Sequence, residues 1–113
     1  MALAAEYRRW AFDTGTPSAY TVPMFVSVVC DFASEDHRKA GQGLIAQYGL
    51  KKVQKDAFET ATLSEAALNR LKKDLDRVAD SYDSIRFYQY PVDNTLAITV
   101  LKEKKWRRLI VKA

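Results

Sequence analysis

The 113-residue sequence has one cysteine, one histidine and four glycines, and it contains no long apolar run. One cysteine, Cys30, excludes an internal disulfide, and its place in an apolar strand predicts a buried thiol instead of a reactive one. The wider pattern of a Gly-rich phosphate loop is absent. No apolar run approaches the ~20 residues that cross a bilayer, and early charged residues interrupt the N-terminal segment, so a signal peptide is not predicted. The sequence therefore gives no indication of a membrane partner, and the expected compartment is the cytoplasm.

Positive charge is concentrated near the C-terminus. The net charge is +4, but residues 102–112 alone carry six basic residues against one acid, so the rest of the chain is close to neutral. A basic segment on a near-neutral body indicates a polyanionic partner, usually a phosphate backbone. The alternative is a solvated basic tail. The six residues are Lys102, Lys104, Lys105, Arg107, Arg108 and Lys112.

Apolar spacing predicts two helices and several strands. The central prediction is a strand over residues 24–30 that ends at Asp31, followed by a helix over 36–48 that Ser34, Glu35 and Asp36 can cap. Short strands are predicted at 50–54 and 57–62, or one bent strand in their place. A second helix follows, which Thr62 or Ser64 can cap and which carries Leu68, Leu71, Leu75 and Val78 on one side. The last predicted elements are strands at 83–90 and 95–101 across a turn, and a strand at 106–111.

In the first predicted helix, Ala40, Leu44 and Tyr48 recur at four-residue intervals and, with Ile45 beside them, predict an apolar stripe. Gly41 and Gly43 lie within it, and each costs ~1 kcal/mol of helix propensity relative to alanine. We expect these glycines to allow close packing of the helix on a sheet.

The element order predicts an α+β fold of the ferredoxin-like βαββαβ type, with one or two extra C-terminal strands and both helices on one face of an antiparallel sheet. The other face then needs a cover, which dimerisation or the extra strands would supply. Residues 24–113 are predicted to form this domain. Residues 1–23 are predicted to be an N-terminal extension, with a short helix over residues 4–12.

Several short motifs resemble the Cas-two family, the small CRISPR-associated proteins of spacer acquisition. The motifs are Val28-Val29-Cys30-Asp31, Arg38-Lys39, Leu44 through Tyr48-Gly49, Val53-Gln54, Phe58-Glu59 and Asp83-Ser84-Ile85-Arg86-Phe87-Tyr88. They are specific as a set, and the resemblance covers residues 24–101. This chain departs from the family at two positions: Cys30 stands where a tyrosine is usual, and Asp56 stands where a serine is common.

The resemblance implies a homodimer whose C-terminal strand crosses to the partner's sheet. It also implies that Asp31 from each protomer lies near the two-fold axis, where the pair would hold Mg²⁺ as metal ligand and catalytic residue. Some members of the family are described as metal-dependent endonucleases on RNA or DNA. Others bridge two dimers of the Cas-one integrase and hold the duplex that becomes a new spacer.

Basic residues near the predicted helix and strand ends are the candidates for phosphate contacts, which suit a partner of arbitrary sequence. For each of them the alternative is a solvated charge. Tyr88 and Tyr90 offer stacking surfaces, but we expect a dimer to bury them. The candidate nucleic-acid-binding residues are Arg38, Lys39, Lys51, Lys52, Lys105, Arg107 and Arg108.

Three functions remain open at this point. A dimeric adaptor that binds double-stranded DNA in spacer integration is favoured, because the lone histidine, His37, is expected on the surface or at a helix cap and not as a general base. The first alternative is a Mg²⁺-dependent endonuclease that hydrolyses RNA or DNA through paired Asp31. The second is an unrelated ferredoxin-like RNA-binding or toxin domain.

Overall fold

Six strands and two helices form the part of the chain that a computed structural model describes, residues 23–112. In chain order they are β1 (Met24–Asp31), α1 (Glu35–Gln47), β2 (Lys51–Gln54), β3 (Ala57–Leu63), α2 (Glu65–Val78), β4 (Ser84–Val92), β5 (Thr95–Lys102) and β6 (Lys105–Lys112). The helix predicted over residues 4–12 lies outside the described residues. Neither described helix is long and apolar enough to cross a membrane.

The six strands form one antiparallel sheet in the order β2-β3-β1-β4-β5-β6. The apolar strand β1 lies between β3 and β4, as its nearly continuous hydrophobicity predicts. The first four strands have the order of a ferredoxin-like sheet, and β5 and β6 extend it at one edge. In this structure β6 pairs with β5 of its own chain.

Local capping residues set the helix bounds. The Ser34 hydroxyl accepts a hydrogen bond from the His37 N–H at 3.1 Å, and the Ser64 hydroxyl accepts one from the Ala67 N–H at 3.1 Å. Of the two predicted caps of the second helix, Ser64 is therefore the one used. Gly49 has a φ of 91° just after α1, a left-handed conformation that glycine adopts without strain.

The core lies between the two helices and one face of the sheet. Alternate strand residues point into it, such as Val26 and Val28 on β1 and Ile85 and Phe87 on β4, all four with no exposed surface. From α2 the core receives Leu68, Leu71 and Leu75, as predicted. We call the opposite, uncovered side of the sheet the helix-free face.

The first helix packs along the predicted stripe except at Ala40, which is exposed. Ile45 is buried as predicted, Leu44 and Tyr48 are partly buried against the core, and Gly41 is buried as well. A Cβ on Gly41 would lie 2.2 Å from the Phe32 ring, so glycine is required for that ring to pack against the helix. Gly43 is exposed and has nothing within 4 Å of the corresponding point, so its predicted packing role is wrong.

Candidate nucleic-acid interface

Asp31 is the last residue of β1 and lies on the helix-free face. Burial alternates along β1, and the side chains of Phe25, Val29 and Asp31 are on the exposed side. Across the sheet, Asp31 pairs with Ser84 at the start of β4. Within residues 23–112 the Asp31 carboxylate makes no hydrogen bond or ion pair, so its oxygens are available to a ligand.

Strand register gathers basic residues beside Asp31. Residues that pair across neighbouring strands share a face of the sheet, so the row that starts at Asp31 continues through Ser84 and Lys102 to Lys105. The next row on this face contains Arg86 and Arg107. We call Arg86, Lys102, Lys105 and Arg107 the basic half of the helix-free face. They line a shallow depression of about 450 Å³, in which Glu103 is the one acidic lining residue.

The other half of the helix-free face is largely apolar on β1, β4, β5 and β6, with Glu59 and Lys51 beside it on β3 and β2. The rows beyond Arg86 hold aromatic and aliphatic side chains, and several of them are well exposed, including Phe25, Leu109 and Val111. A contiguous exposed apolar patch rimmed by charge is typical of an interaction surface. We call this set the apolar half; its members are Phe25, Tyr88, Tyr90, Leu96, Ile98, Leu109 and Val111.

The structure does not bring all of the predicted basic residues together. Arg107 and Arg108 are neighbours in sequence but lie on opposite faces of β6, because Arg107 pairs with Val100 and Arg108 pairs with the core-facing Thr99. Lys51 and Lys52 lie on β2 at the far edge of the sheet. Five strand spacings separate β2 from β6, a distance of about 24 Å.

Arg38 and Lys39 lie on α1, away from the basic half. The Arg38 guanidinium is held by two carboxylates, with Nε 3.4 Å from Asp56 Oδ1 and an Nη 3.4 Å from Glu35 Oε1. Asp56, one of the two departures from the family pattern, thus neutralises a predicted phosphate contact. Lys39 is exposed.

His37 contacts a buried carboxylate, which its prediction as a surface or capping residue did not include. Its Nδ1 lies 2.8 Å from Asp83 Oδ2 and 3.6 Å from Asp80 Oδ2. Asp83 also accepts hydrogen bonds from the Ala33 N–H at 2.8 Å and the Asp80 N–H at 2.9 Å. Because Asp83 precedes Ser84, the pairing partner of Asp31, His37 and Asp31 belong to the same corner of the molecule.

The hydrogen bonds to Asp83 control its ionisation. Burial alone would raise the pKa of the Asp83 carboxyl, but the Asp80 and Ala33 N–H groups and His37 outweigh it, so the pKa is held below its usual range. The carboxylate is therefore ionised at neutral pH although only 1% of Asp83 is exposed.

Within residues 23–112, the His37 cluster and Asp31 are the two candidates for binding a metal ion. The donor atoms of His37, Asp80 and Asp83 lie within 4.8 Å of one another, a spacing at which a metal ion can be held. However, both Asp83 oxygens already accept hydrogen bonds, and a metal there would compete with the contact between His37 and Asp83. The unpaired Asp31 carboxylate fits Mg²⁺ better, because Mg²⁺ is commonly held by one or two carboxylates with water and phosphate completing its shell.

Cys30 is buried, as predicted, and is held inert. Its thiol donates a hydrogen bond to the Asp56 carbonyl at 3.4 Å and accepts one from Gln42 Nε2 at 3.7 Å. Burial raises the pKa of the Cys30 thiol to about 11, because the thiolate would be poorly solvated there.

Arg86 and Lys102 are members of the basic half that the sequence-based list of candidates omitted. Alternation within each strand assigns Arg86 a face, but only the pairing between strands shows that this face also carries Lys102, Lys105 and Arg107. The Arg86 guanidinium is 5.8 Å from the centroid of the Tyr88 ring, at the border between the two halves.

Residues 24–98, two thirds of the chain, match the family model described as CRISPR associated protein Cas2. No curated protein and no solved structure matches the chain.

Proposed function

Because the chain belongs to the Cas2 family of CRISPR-associated proteins, we propose that it is a dimeric adaptor that binds double-stranded DNA during spacer integration. The Cas-one integrase is the proposed protein partner. The observation that carries the proposal is the division of the helix-free face into an apolar half and a basic half beside Asp31.

The apolar half is the proposed dimer interface. Two sheets that stack face to face lie ~10 Å apart, and a two-fold axis brings the same patch of each copy together. With the two-fold axis parallel to the strands, stacking the apolar halves would leave the basic halves and the two Asp31 side chains at one end of the dimer. Phosphates of a duplex would be bound there by charge, without reading bases, which suits an adaptor for arbitrary sequences.

Adjacent residues of β6 provide a matched test of the interface. Leu109 lies in the apolar half and is 52% exposed, whereas Ile110 lies on the opposite face and is 46% exposed. We expect Leu109→Asp to convert the dimer to a monomer in sedimentation equilibrium, because it would bury an unpaired charge in the interface. Ile110→Asp should remain dimeric. A monomeric wild-type chain, or equal effects of the two substitutions, would contradict the proposed interface.

DNA binding is tested on the basic half. The assay is a fluorescence anisotropy titration with a labelled 30-base-pair duplex. Arg107→Gln should weaken binding similarly for unrelated sequences, and the slope of log K against log[salt] should fall by about one, the value for one lost phosphate contact. Lys55→Gln, at the exposed turn between β2 and β3, is the control and should bind as the wild type does. Binding that is indifferent to salt would refute phosphate recognition. Spacer integration with the integrase should be lost together with duplex binding.

A second candidate function, a Mg²⁺-dependent endonuclease, is favoured by the contact between His37 and Asp83. A buried carboxylate that orients an imidazole is a common arrangement for a general base. When bound at paired Asp31, Mg²⁺ would neutralise charge that develops on the scissile phosphate. His37 would accept a proton from water in the same corner.

Two substitutions separate the candidates. For a nuclease, Asp31→Asn and His37→Gln should each abolish cleavage of RNA and DNA substrates while leaving duplex binding unchanged. For an adaptor, both variants should support integration as the wild type does. Cleavage that survives in both variants would exclude this corner as the catalytic site.

A further inference from the structure

A groove of about 500 Å³ lies on the helix-covered side of the sheet, between α2 and the start of β6. Its volume is in the range of small-molecule sites. It is separate from the basic half, which lies on the other face. The lining residues are Asn69, Lys72, Lys73, Asp76, Arg77 and Trp106.

Lys72 brings an uncompensated positive charge to this groove. Its ammonium donates hydrogen bonds to two neutral oxygens, Gln89 Oε1 at 3.0 Å and Thr99 Oγ1 at 3.4 Å. Burial and the nearby Arg108 lower the pKa of Lys72 to about 8, and the attraction of Glu65 offsets this only in part. Two cations are thus held close together where an anion would relieve their repulsion.

The remaining charges around the groove divide into paired and unpaired ones. Arg77 is paired with Asp74 at 3.1 Å, and Asp76 is 3.6 Å from the Lys104 ammonium. Within the described part of the chain, Lys73, like Lys72 and Arg108, forms no ion pair. Lys72 and Lys73 line the groove, and Arg108 lies beside it next to Lys72, so the three unpaired cations leave an excess of positive charge there.

Trp106 gives the groove a flat aromatic wall. Its side chain packs on the buried Phe87 with ring centroids 5.8 Å apart, and Trp106 remains 39% exposed. The Lys72 ammonium is 5.5 Å from the centroid of the same Phe87 ring, so the indole and the ammonium both pack on Phe87 and both line the groove. An exposed ring beside cations is the usual chemistry for binding a base together with its phosphate.

We propose that this groove binds a nucleotide unit, with the base stacked on Trp106 and the phosphate bound by Lys72, Lys73 and Arg108. A free nucleotide and the end of a single strand present the same chemistry. A duplex does not, because its bases are stacked on one another and it is much wider than the groove. An acidic peptide would satisfy the cations but would leave the indole unused. The site goes beyond the proposed duplex adaptor and uses the other face of the sheet.

Tryptophan fluorescence of the full chain tests the site directly. Trp10→Phe makes Trp106 the sole tryptophan. Titrations with inorganic phosphate, adenosine monophosphate, a dT5 oligonucleotide and a blunt duplex then separate the ligands. We expect saturable quenching by the nucleotide, by the oligonucleotide or by both. Quenching by the nucleotide as strong as by dT5 indicates a free nucleotide, whereas quenching by dT5 alone indicates a strand end.

Substitution of one exposed cation tests the phosphate contact. In the same background Arg108→Gln should weaken nucleotide or oligonucleotide binding about tenfold, the expected loss for one charged hydrogen bond. Lys55→Gln is the control with the same change in charge, and it should leave the affinity unchanged. Because Arg108 is exposed, its substitution leaves the core intact.

Three results would overturn the proposal: no quenching by nucleotide or dT5, an affinity for inorganic phosphate equal to that for the nucleotide, or an unchanged affinity in Arg108→Gln. Fluorescence anisotropy of the labelled duplex, measured in parallel with each quenching titration, tests duplex binding independently of nucleotide binding in the groove. Duplex binding without quenching refutes only the groove. Quenching without duplex binding refutes only the adaptor.

Discussion

Removing the Asp83 carboxylate should destabilise the fold more than removing any exposed acid. Asp83 joins three segments to the start of β4: the loop after β1 through the Ala33 N–H, the first turn of α1 through His37, and the loop after α2 through the Asp80 N–H. In Asp83→Ala two backbone N–H groups lose a buried acceptor, in hydrogen bonds that are themselves partly buried. Each unsatisfied group costs about 1–3 kcal/mol.

For two such groups the total loss in Asp83→Ala is therefore about 2–6 kcal/mol, a large share of the ~5–15 kcal/mol that stabilises a typical domain. Asp83→Asn keeps the shape and one acceptor oxygen but replaces the other oxygen by a donor, so about 2 kcal/mol should be lost. Urea unfolding followed by circular dichroism, at one protomer concentration, measures both losses. Asp36→Ala in the exposed first turn of α1 is the control, and its effect should stay below about 1 kcal/mol.

The pH dependence gives the same prediction a second readout. Because the pKa of Asp83 is lowered in the folded chain, the contribution of its ionised carboxylate to the free energy of unfolding is fully present above the unfolded carboxyl pKa of about 3.9. That contribution is lost as the pH falls through the pKa that Asp83 has in the folded chain. The stability difference between wild type and Asp83→Asn should therefore be constant near neutral pH and shrink below about pH 4. A loss under about 1 kcal/mol in Asp83→Ala would refute the structural role derived for this carboxylate.

Three further predictions concern packing and buried charge. Gly41→Ala should destabilise the fold by about 1–3 kcal/mol because its Cβ would meet the Phe32 ring, whereas Gly43→Ala should stabilise it by about 0.5–1 kcal/mol because alanine favours the helix and has room there. Thermal unfolding of the two variants measures both effects, and equal effects would contradict the packing described for Gly41. Cys30 should not react with a thiol reagent at pH 8 until the chain is unfolded, and fast labelling of the native chain would show that the thiol is accessible. Between pH 8 and 10 the unfolded chain keeps the Lys72 proton that the native chain releases, so the free energy of unfolding of the wild type should rise by about 1–2 kcal/mol relative to that of Lys72→Met. Urea unfolding curves of both proteins at each pH measure this difference. Equal pH profiles would refute the lowered pKa.

The sequence predicted the order and type of the described elements, with β2 and β3 left open as two strands or one bent strand and the number of added C-terminal strands as one or two, because apolar spacing reports the face that each element buries. Leu68, Leu71 and Leu75 follow helical spacing, and Ile85 and Phe87 alternate as strand residues do. The first helix was predicted less well. Its apolar stripe is interrupted by glycines, so spacing placed Ala40 in the core, where the structure leaves it exposed, and gave Gly43 a packing role that only Gly41 has.

The site was less predictable than the fold because it depends on distances between segments far apart in sequence. His37 and Asp83 are 46 residues apart, and only the packing of α1 beside the start of β4 brings them to 2.8 Å. Composition identified a basic C-terminal segment correctly, but it could not divide that segment between two faces. The division follows from strand pairing. It places Arg107 on the helix-free face, in the row next to that of Asp31, and Arg108 on the helix-covered side, beside the groove.

That division depends on the turn between β5 and β6. The turn has two central residues, Glu103 and Lys104, with φ values of 54° and 60°, a left-handed pair that Asn and Gly usually supply. Here the Lys104 ammonium binds the carbonyls of Asp76 and Ala79 at the C-terminal end of α2, a contact that offsets the strain of the turn. Because one residue of slip would exchange the two faces of β6, this helix cap fixes which cations join the duplex surface and which join the groove.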